Sequence, residues 1–246
     1  MKPTLFTSIT TVCLLGMLLF AACQPSDKGT TTGDVQAEQT PPVVAETPPT
    51  TDDSLKNSDV YNVYENTDRV AWQRPDLIIG LLSNGSLKNK TVADIGAGNG
   101  FFSKRITPFA AKVIALDIEE QFLHLIDSTK MLELPVAQQS KLETRLTPRN
   151  APNLQPDEVD AVLIVNTFMY FENQLDYLLK LKPCIKKGGR LVIVDFKRKR
   201  TDIGPQPRSY RTPLYVVEDL LYEAGYNNIQ AIDTELNYQY IVIAER

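Results

Sequence analysis

With one histidine, His124, and three cysteines, Cys13, Cys23 and Cys184, this chain of 246 residues has little from which to build imidazole or thiolate chemistry. A zinc site made of histidine and cysteine is excluded: with Cys13 in an apolar leader and Cys23 read as a lipid attachment site, only His124 and Cys184 remain, and even an open catalytic site of that kind needs three ligands. A disulfide framework is excluded as well: Cys13 lies in an apolar leader, Cys23 directly follows it, and Cys184 is left without a mate. His124 sits among Phe122, Leu123, Leu125 and Ile126 and reads as structural. Basic charge is also scarce, with 26 Lys and Arg against 30 Asp and Glu and a formal net charge of −4. Neutralising a phosphate backbone needs a basic face, so no nucleic-acid partner is expected. The local exception, Lys197-Arg198-Lys199-Arg200, follows a strand and reads as a solvated loop, with flanking of an acidic substrate as the alternative.

Long hydrophobic runs are missing too. After Lys2, the apolar stretch Val12–Phe20 is too short to span a bilayer comfortably, and it ends in Phe20-Ala21-Ala22-Cys23. Small residues before a lone cysteine are what lipoprotein processing needs, and these four are similar to a bacterial lipobox. That resemblance makes residues 1–22 a signal peptide and Cys23 the lipidated first residue; an ordinary signal peptide or a short anchor helix is the alternative. Gln24 in place of Asp then implies the outer membrane rather than retention at the inner one. Residues 23–56 are rich in Thr, Pro, Asp and Glu and cannot bury enough apolar surface to offset their conformational entropy, so they read as a flexible tether. Residues 57–246 remain as one domain. The expected membrane contact is the N-terminal lipid anchor only, and the expected location is the cell envelope.

The most informative segment is Val92-Ala93-Asp94-Ile95-Gly96-Ala97-Gly98-Asn99-Gly100-Phe101-Phe102. An apolar strand ends in an acid and breaks into glycines at every second position, which lets a ligand lie against bare backbone. A helix starting just beyond would aim N–H groups at the ligand. The next strand, Lys112-Val113-Ile114-Ala115-Leu116-Asp117, ends in a carboxylate where an α/β sheet grips a ribose. A dinucleotide fingerprint would place a third glycine at 101, where this chain has Phe101. The pattern G-x-G-x-G instead resembles the class I S-adenosylmethionine-dependent methyltransferases. Asp68-Arg69-Val70-Ala71-Trp72-Gln73-Arg74-Pro75 resembles the D-R-x-x-W-Q-x-P of one bacterial branch. Lys182-Pro183 with Lys187-Gly188-Gly189-Arg190-Leu191-Val192-Ile193-Val194-Asp195 is similar to its L-K-P-G-G-R-L-V-I-V-D, and Leu236-Asn237-Tyr238-Gln239-Tyr240 to its L-P-x-Q-Y.

Strands are expected at 91–95, 112–117, 142–146, 160–165, 190–196, 228–233 and 238–244, and helices near 75–83, 100–107, 119–130, 172–182 and 213–224. This alternation predicts an α/β fold with a doubly wound, mainly parallel sheet. The tight connection at 233–237 leaves no room for a crossover helix, so the last strand should be antiparallel. The resemblance implies seven strands in the order 3-2-1-4-5-7-6, the Rossmann-like methyltransferase fold.

The same resemblance implies S-adenosylmethionine as cofactor and a small-molecule methyl acceptor as partner. The backbone of Gly96, Ala97, Gly98, Asn99 and Gly100 would line the cofactor, Asp117 hold the ribose, Ile118 pack on adenine, Asn150 meet the adenine edge, and Asn166 close the far side. Asp94 either holds the loop or meets the methionine amino group. Trp72 and Gln73 either close the methionine end or are a packing Trp and an exposed Gln. Where the branch has an acidic pair this chain has Arg149 and Asn150, and where it reads D-x-x-H-H-F this chain reads Asn166-Thr167-Phe168-Met169-Tyr170-Phe171. Tyr170 is then the nearest polar candidate for a catalytic role. Two functions are compatible with these residues: an exported, membrane-anchored methyltransferase, and a binding lipoprotein that keeps the pocket without catalysis.

Overall fold

A computed structural model of the chain describes residues 68–201 and 203–246. The leader, Cys23 and the tether lie outside the described residues, among which no helix is long and apolar enough to cross a membrane.

The described residues open with α1 (Arg69–Gln73) and α2 (Pro75–Leu81). They are separate because the residue before a proline is driven out of the α region, and Arg74 sits at φ 49 between them. Then follow β1 (Thr91–Ile95), α3 (Phe101–Ile106), β2 (Lys112–Asp117), α4 (Glu120–Glu133), α5 (Val136–Gln139), β3 (Leu142–Leu146) and β4 (Val159–Val165). The second half contains α6 (Gln174–Leu181), β5 (Ile185–Phe196), α7 (Leu214–Glu223), β6 (Asn227–Ile232) and β7 (Gln239–Glu245). The seven strands form one sheet in the order β3-β2-β1-β4-β5-β7-β6, parallel except for β7, which is antiparallel to both neighbours. Fold class and strand order are those expected.

Most element ends lie within three residues of those expected, and three differences have a particular cause. The helix expected near 75–83 ends at Leu81, and a separate five-residue turn precedes it. The strand expected at 190–196 begins at Ile185, because an irregular register lets Val159 pair with Ile185 across the Gly188-Gly189 step. Gly189 is required there: a Cβ would lie 2.7 Å from the Asp160 carbonyl oxygen. The one-turn helix α5 was not anticipated, since four residues carry no periodicity.

Alternation along β1 sends Ala93 and Ile95 to one face of the sheet and Val92 to the other. On the first face they meet Leu178 and Leu181 of α6 and Val217 and Leu221 of α7. On the second, Ile78 and Ile79 of α2, Phe102 and Ile106 of α3 and Ile126 of α4 cover the strands. Each fully buried Leu, Ile or Phe of this kind stabilises the fold by about 1.5–3 kcal/mol. With both faces of the central strands covered, their ends are left open, and β2, β1 and β4 deliver three of these side by side.

His124 is exposed on α4, where its carbonyl accepts from the Ser128 hydroxyl at 2.8 Å. The solvated reading of the basic run fails at Lys197, which is buried. Its ammonium donates to the carbonyls of Leu236, at 2.7 Å, and of Asp233, and pairs with the Asp233 carboxylate at 3.1 Å. That lysine pins the β6–β7 connection, whereas Arg198, Lys199 and Arg200 are exposed as expected.

Candidate functional site

The glycine loop is built from the end of β1. Gly96, Gly98 and Gly100 all adopt positive φ, at 74°, 53° and 79°, a conformation costing an L side chain about 1–2 kcal/mol. The N–H groups of Gly96 and Ala97 continue the ladder to Leu116 O at 2.8 and 3.0 Å, and Gly100 N–H closes on Ala97 O. Phe101 N–H is capped by Asn99 Oδ1 at 3.2 Å. The expectation of free amides at the start of α3 therefore fails for these groups. What the loop offers is its surface.

The three glycines are not equivalent. A Cβ on Gly96 would fall 2.2 Å from Thr167 Oγ1, and one on Gly100 2.9 Å from Ile126. A Cβ on Gly98 would meet nothing within 4 Å. Packing demands the first and third, while open space lies over the second.

Asp117 is buried at the end of β2. One carboxylate oxygen accepts from Gly98 N–H at 2.8 Å and the other from Glu119 N–H at 3.0 Å. Burial raises its pKa, and these N–H groups oppose the shift. Because an ionised carboxylate has about four acceptor positions, acceptor capacity remains for a hydroxyl after the backbone N–H groups are held. Ile118 beside it is half-buried, and Asn99 and Gly98 are half-buried on the loop.

Asp94 holds structure at the end of β1. It is buried, and the Ser103 hydroxyl of α3 donates to it at 2.6 Å, tying the helix to the strand that precedes the loop. Burial pushes its pKa up to about 6, against the pull of Ser103 and of Arg69.

Gln73 overturns the reading of an exposed side chain, for it is completely buried. Arg69 Nε donates to Gln73 Oε1 at 2.6 Å, Gln73 Nε2 donates to Gln239 Oε1 at 3.0 Å, and Gln239 Nε2 donates to Asn166 Oδ1. Thus the first and last motifs of the domain meet at the end of β4. Arg69 also lies 4.0 Å from the centre of the Phe101 ring, against the segment that follows the glycines. Trp72 packs at 6.1 Å from both Phe196 and Tyr238. Asn166 is 7 % exposed, at φ 57, and its Nδ2 has no hydrogen-bond partner. Arg69 and Gln239 were not anticipated as site residues. The four-residue spacing of Arg69 and Gln73 on one helix face was the available signal.

The remaining candidates lie at the rim. Asn150 is exposed, with its carbonyl taken by Lys180 Nζ at 3.0 Å, and Arg149 stands 3.9 Å from Glu119. Tyr170 ends a short 3₁₀ turn, Phe168–Tyr170, and is 38 % exposed. That turn is fixed to the sheet by Met169 N–H, which donates to the buried Asp195 carboxylate at 3.1 Å.

A parallel sheet in this strand order, a glycine loop at the end of β1 and an acid at the end of β2 define the class I methyltransferase fold. Residues 93–193 match the family model described as a methyltransferase domain. Among curated proteins, the chain is similar to a tRNA U34 carboxymethyltransferase of Shewanella putrefaciens, 31% identical over 109 residues. The match spans 44% of this chain and 31% of that protein, so the chain covers about a third of the relative's length. Among solved structures, an S-adenosylmethionine-dependent methyltransferase from Aquifex aeolicus superposes with a TM-score of 0.65 at 23% identity, over 76% of this chain and 97% of that one. Phosphoethanolamine N-methyltransferase 2 of Haemonchus contortus, in complex with S-adenosylmethionine, gives 0.60 at 11% identity, over 71% and 52%.

Proposed function

We propose that this chain transfers the methyl group of S-adenosylmethionine to a small-molecule acceptor, as an exported protein anchored through a lipid on Cys23. The observation that carries the reading is the Asp117 carboxylate clasping Gly98 N–H at 2.8 Å, which brings an acid with free lone pairs against the uncovered glycine. Asp117 would hold the ribose, Ile118 the adenine face, Asn150 the adenine edge, and the 96–100 loop the span between. Asn166 and the turn ending at Tyr170 would border the methyl acceptor. The cofactor supplies an already activated methyl group. The protein's part is therefore alignment of donor and acceptor, an effect worth about 7–11 kcal/mol in favourable cases. An acceptor that arrives deprotonated needs no base. The net charge of −4 and the burial of Lys197 favour a small acceptor over tRNA.

The test is a melting curve. S-adenosylhomocysteine at a hundred times its dissociation constant should stabilise the chain by about 2.7 kcal/mol, raising the melting temperature by about 5–10 °C. Asp117→Ala should abolish most of that rise. It should also lower the unliganded melting temperature, since Gly98 and Glu119 N–H groups lose their acceptor. No rise with either cofactor form at millimolar concentration refutes the reading; binding without turnover across a broad acceptor screen moves it to a binding protein.

Anchoring is tested separately. The native chain should incorporate labelled fatty acid and partition into detergent, and Cys23→Ala should do neither. Unprocessed native protein found free in the cytoplasm rejects the anchor.

A further inference from the structure

The four polar side chains behind the glycine loop form a chain with a direction. A carboxamide can turn over and exchange donor for acceptor, but a guanidinium only donates. Arg69 therefore decides how Gln73 faces, Gln73 decides Gln239, and Gln239 decides Asn166. Asn166 Oδ1 is taken by Gln239, so its Nδ2 must face the other way, buried and unpaired. An N–H donor left buried without a partner costs more than a typical hydrogen bond returns. A relay that enforces this state, with all four members buried, leaves one donor to be met by an oxygen from outside the relay.

The sheet order indicates which oxygen. Asp117 ends β2, the glycine loop ends β1 and Asn166 follows β4, three neighbours in succession. A ligand with its ribose at Asp117 that crossed the loop would have its far end on the β4 side, where Asn166 stands. We propose that the Arg69–Gln73–Gln239 relay is a positioning device that presents Asn166 Nδ2 as a donor to the carboxylate of the cofactor's amino-acid arm. The proposal rests on the methyltransferase reading above and adds the polarity of its β4 side. An aspartate at 166, as in the resembling branch, would offer only acceptors there.

Titration calorimetry on the full chain tests it with two probes: S-adenosylhomocysteine, and 5′-methylthioadenosine, which lacks the amino-acid arm. In Gln73→Glu the new carboxylate accepts from Arg69 and from a turned-over Gln239. Asn166 then donates inward and presents Oδ1. Every link of the relay survives with its polarity reversed, two residues away from the ligand. Asn166→Asp reverses the same surface directly and keeps the Gln239 contact, so it remains informative if Gln73→Glu does not fold. Both variants should bind S-adenosylhomocysteine about tenfold to a hundredfold more weakly than the native chain, the worth of a hydrogen bond to a charged group. Their affinity for 5′-methylthioadenosine should change by less than about twofold. Equal losses for both probes mean that the relay only supports the fold, and unchanged S-adenosylhomocysteine affinity means that Nδ2 meets no carboxylate; either result overturns the proposal. A native chain that binds neither probe overturns the methyltransferase reading itself.

Discussion

Between pH 4 and pH 8 the native chain should lose about 4 kcal/mol of stability relative to its Asp195→Asn variant. Asp195, near the end of β5, is completely buried, with one carboxylate oxygen accepting from Phe196 N–H at 2.9 Å and the other from Met169 N–H at 3.1 Å. Burial pushes its pKa from 3.8 up to about 7, although both N–H groups and Arg211 favour the charged form. In the unfolded chain the carboxyl ionises near 3.8, so between that pH and about 7 the folded state keeps a proton that the unfolded state has lost. Stability present below pH 3.8 is therefore lost as pH rises to about 7, and the loss stops above it. A difference of about 4 kcal/mol corresponds to about 8–16 °C in melting temperature for a domain of this size. Asparagine keeps one oxygen for one N–H and sets an amino group against the other, at a cost of about 1–3 kcal/mol that does not change with pH. Asp94, raised to about 6, titrates in both proteins and drops out of the comparison. Urea unfolding of the pair at each pH gives the gap, and a gap that is constant from pH 4 to 8 refutes the assignment.

The contrast between Asp195 and Asp117 shows where sequence reading stops. Both end or nearly end an apolar strand, and both look alike in the chain. One neighbours the crevice because β2 lies beside β1; the other is sealed because β5 is flanked by β4 and β7 and covered by the 168–170 turn. The β1–loop–β2 unit was legible because a short apolar run, an acid and alternating glycines are local signals with local causes. The relay was not, although Gln73 and Gln239 both stood in recognised motifs. Their hydrogen bond joins residues 166 apart, and no periodicity encodes such a meeting. Lys197 was misread for the same reason: its partners, Asp233 and Leu236, belong to a connection that only the antiparallel return of β7 brings alongside. The equal treatment of Gly96, Gly98 and Gly100 had another origin. Positive φ is common to all three, and what a Cβ would strike depends on neighbours the spacing does not name.

That inequality yields a crossed pair of effects. Gly96→Ala should destabilise the unliganded chain by about 2–5 kcal/mol, the sum of about 1–2 for a side chain at positive φ and about 1–3 for overpacking. The new methyl would lie 2.2 Å from Thr167 Oγ1, 2.4 Å from Cγ2 and 2.8 Å from Cβ, so the neighbour has to move. Thr167→Gly, which removes all three atoms, should recover the overpacking part in the double variant and leave the backbone part. Gly98→Ala meets no neighbour, so it should cost only the backbone part, about 1–2 kcal/mol. Its methyl, however, occupies the open space over the loop, where the Asp117-bound ligand would lie. S-adenosylhomocysteine should therefore bind Gly98→Ala at least about tenfold more weakly, a loss of about 1.4 kcal/mol or more. Thermal unfolding without ligand and calorimetry with it read the two axes independently. Undiminished affinity in Gly98→Ala would remove the ligand from the loop, and a Gly96→Ala chain as stable as Gly98→Ala would show that Thr167 yields without cost.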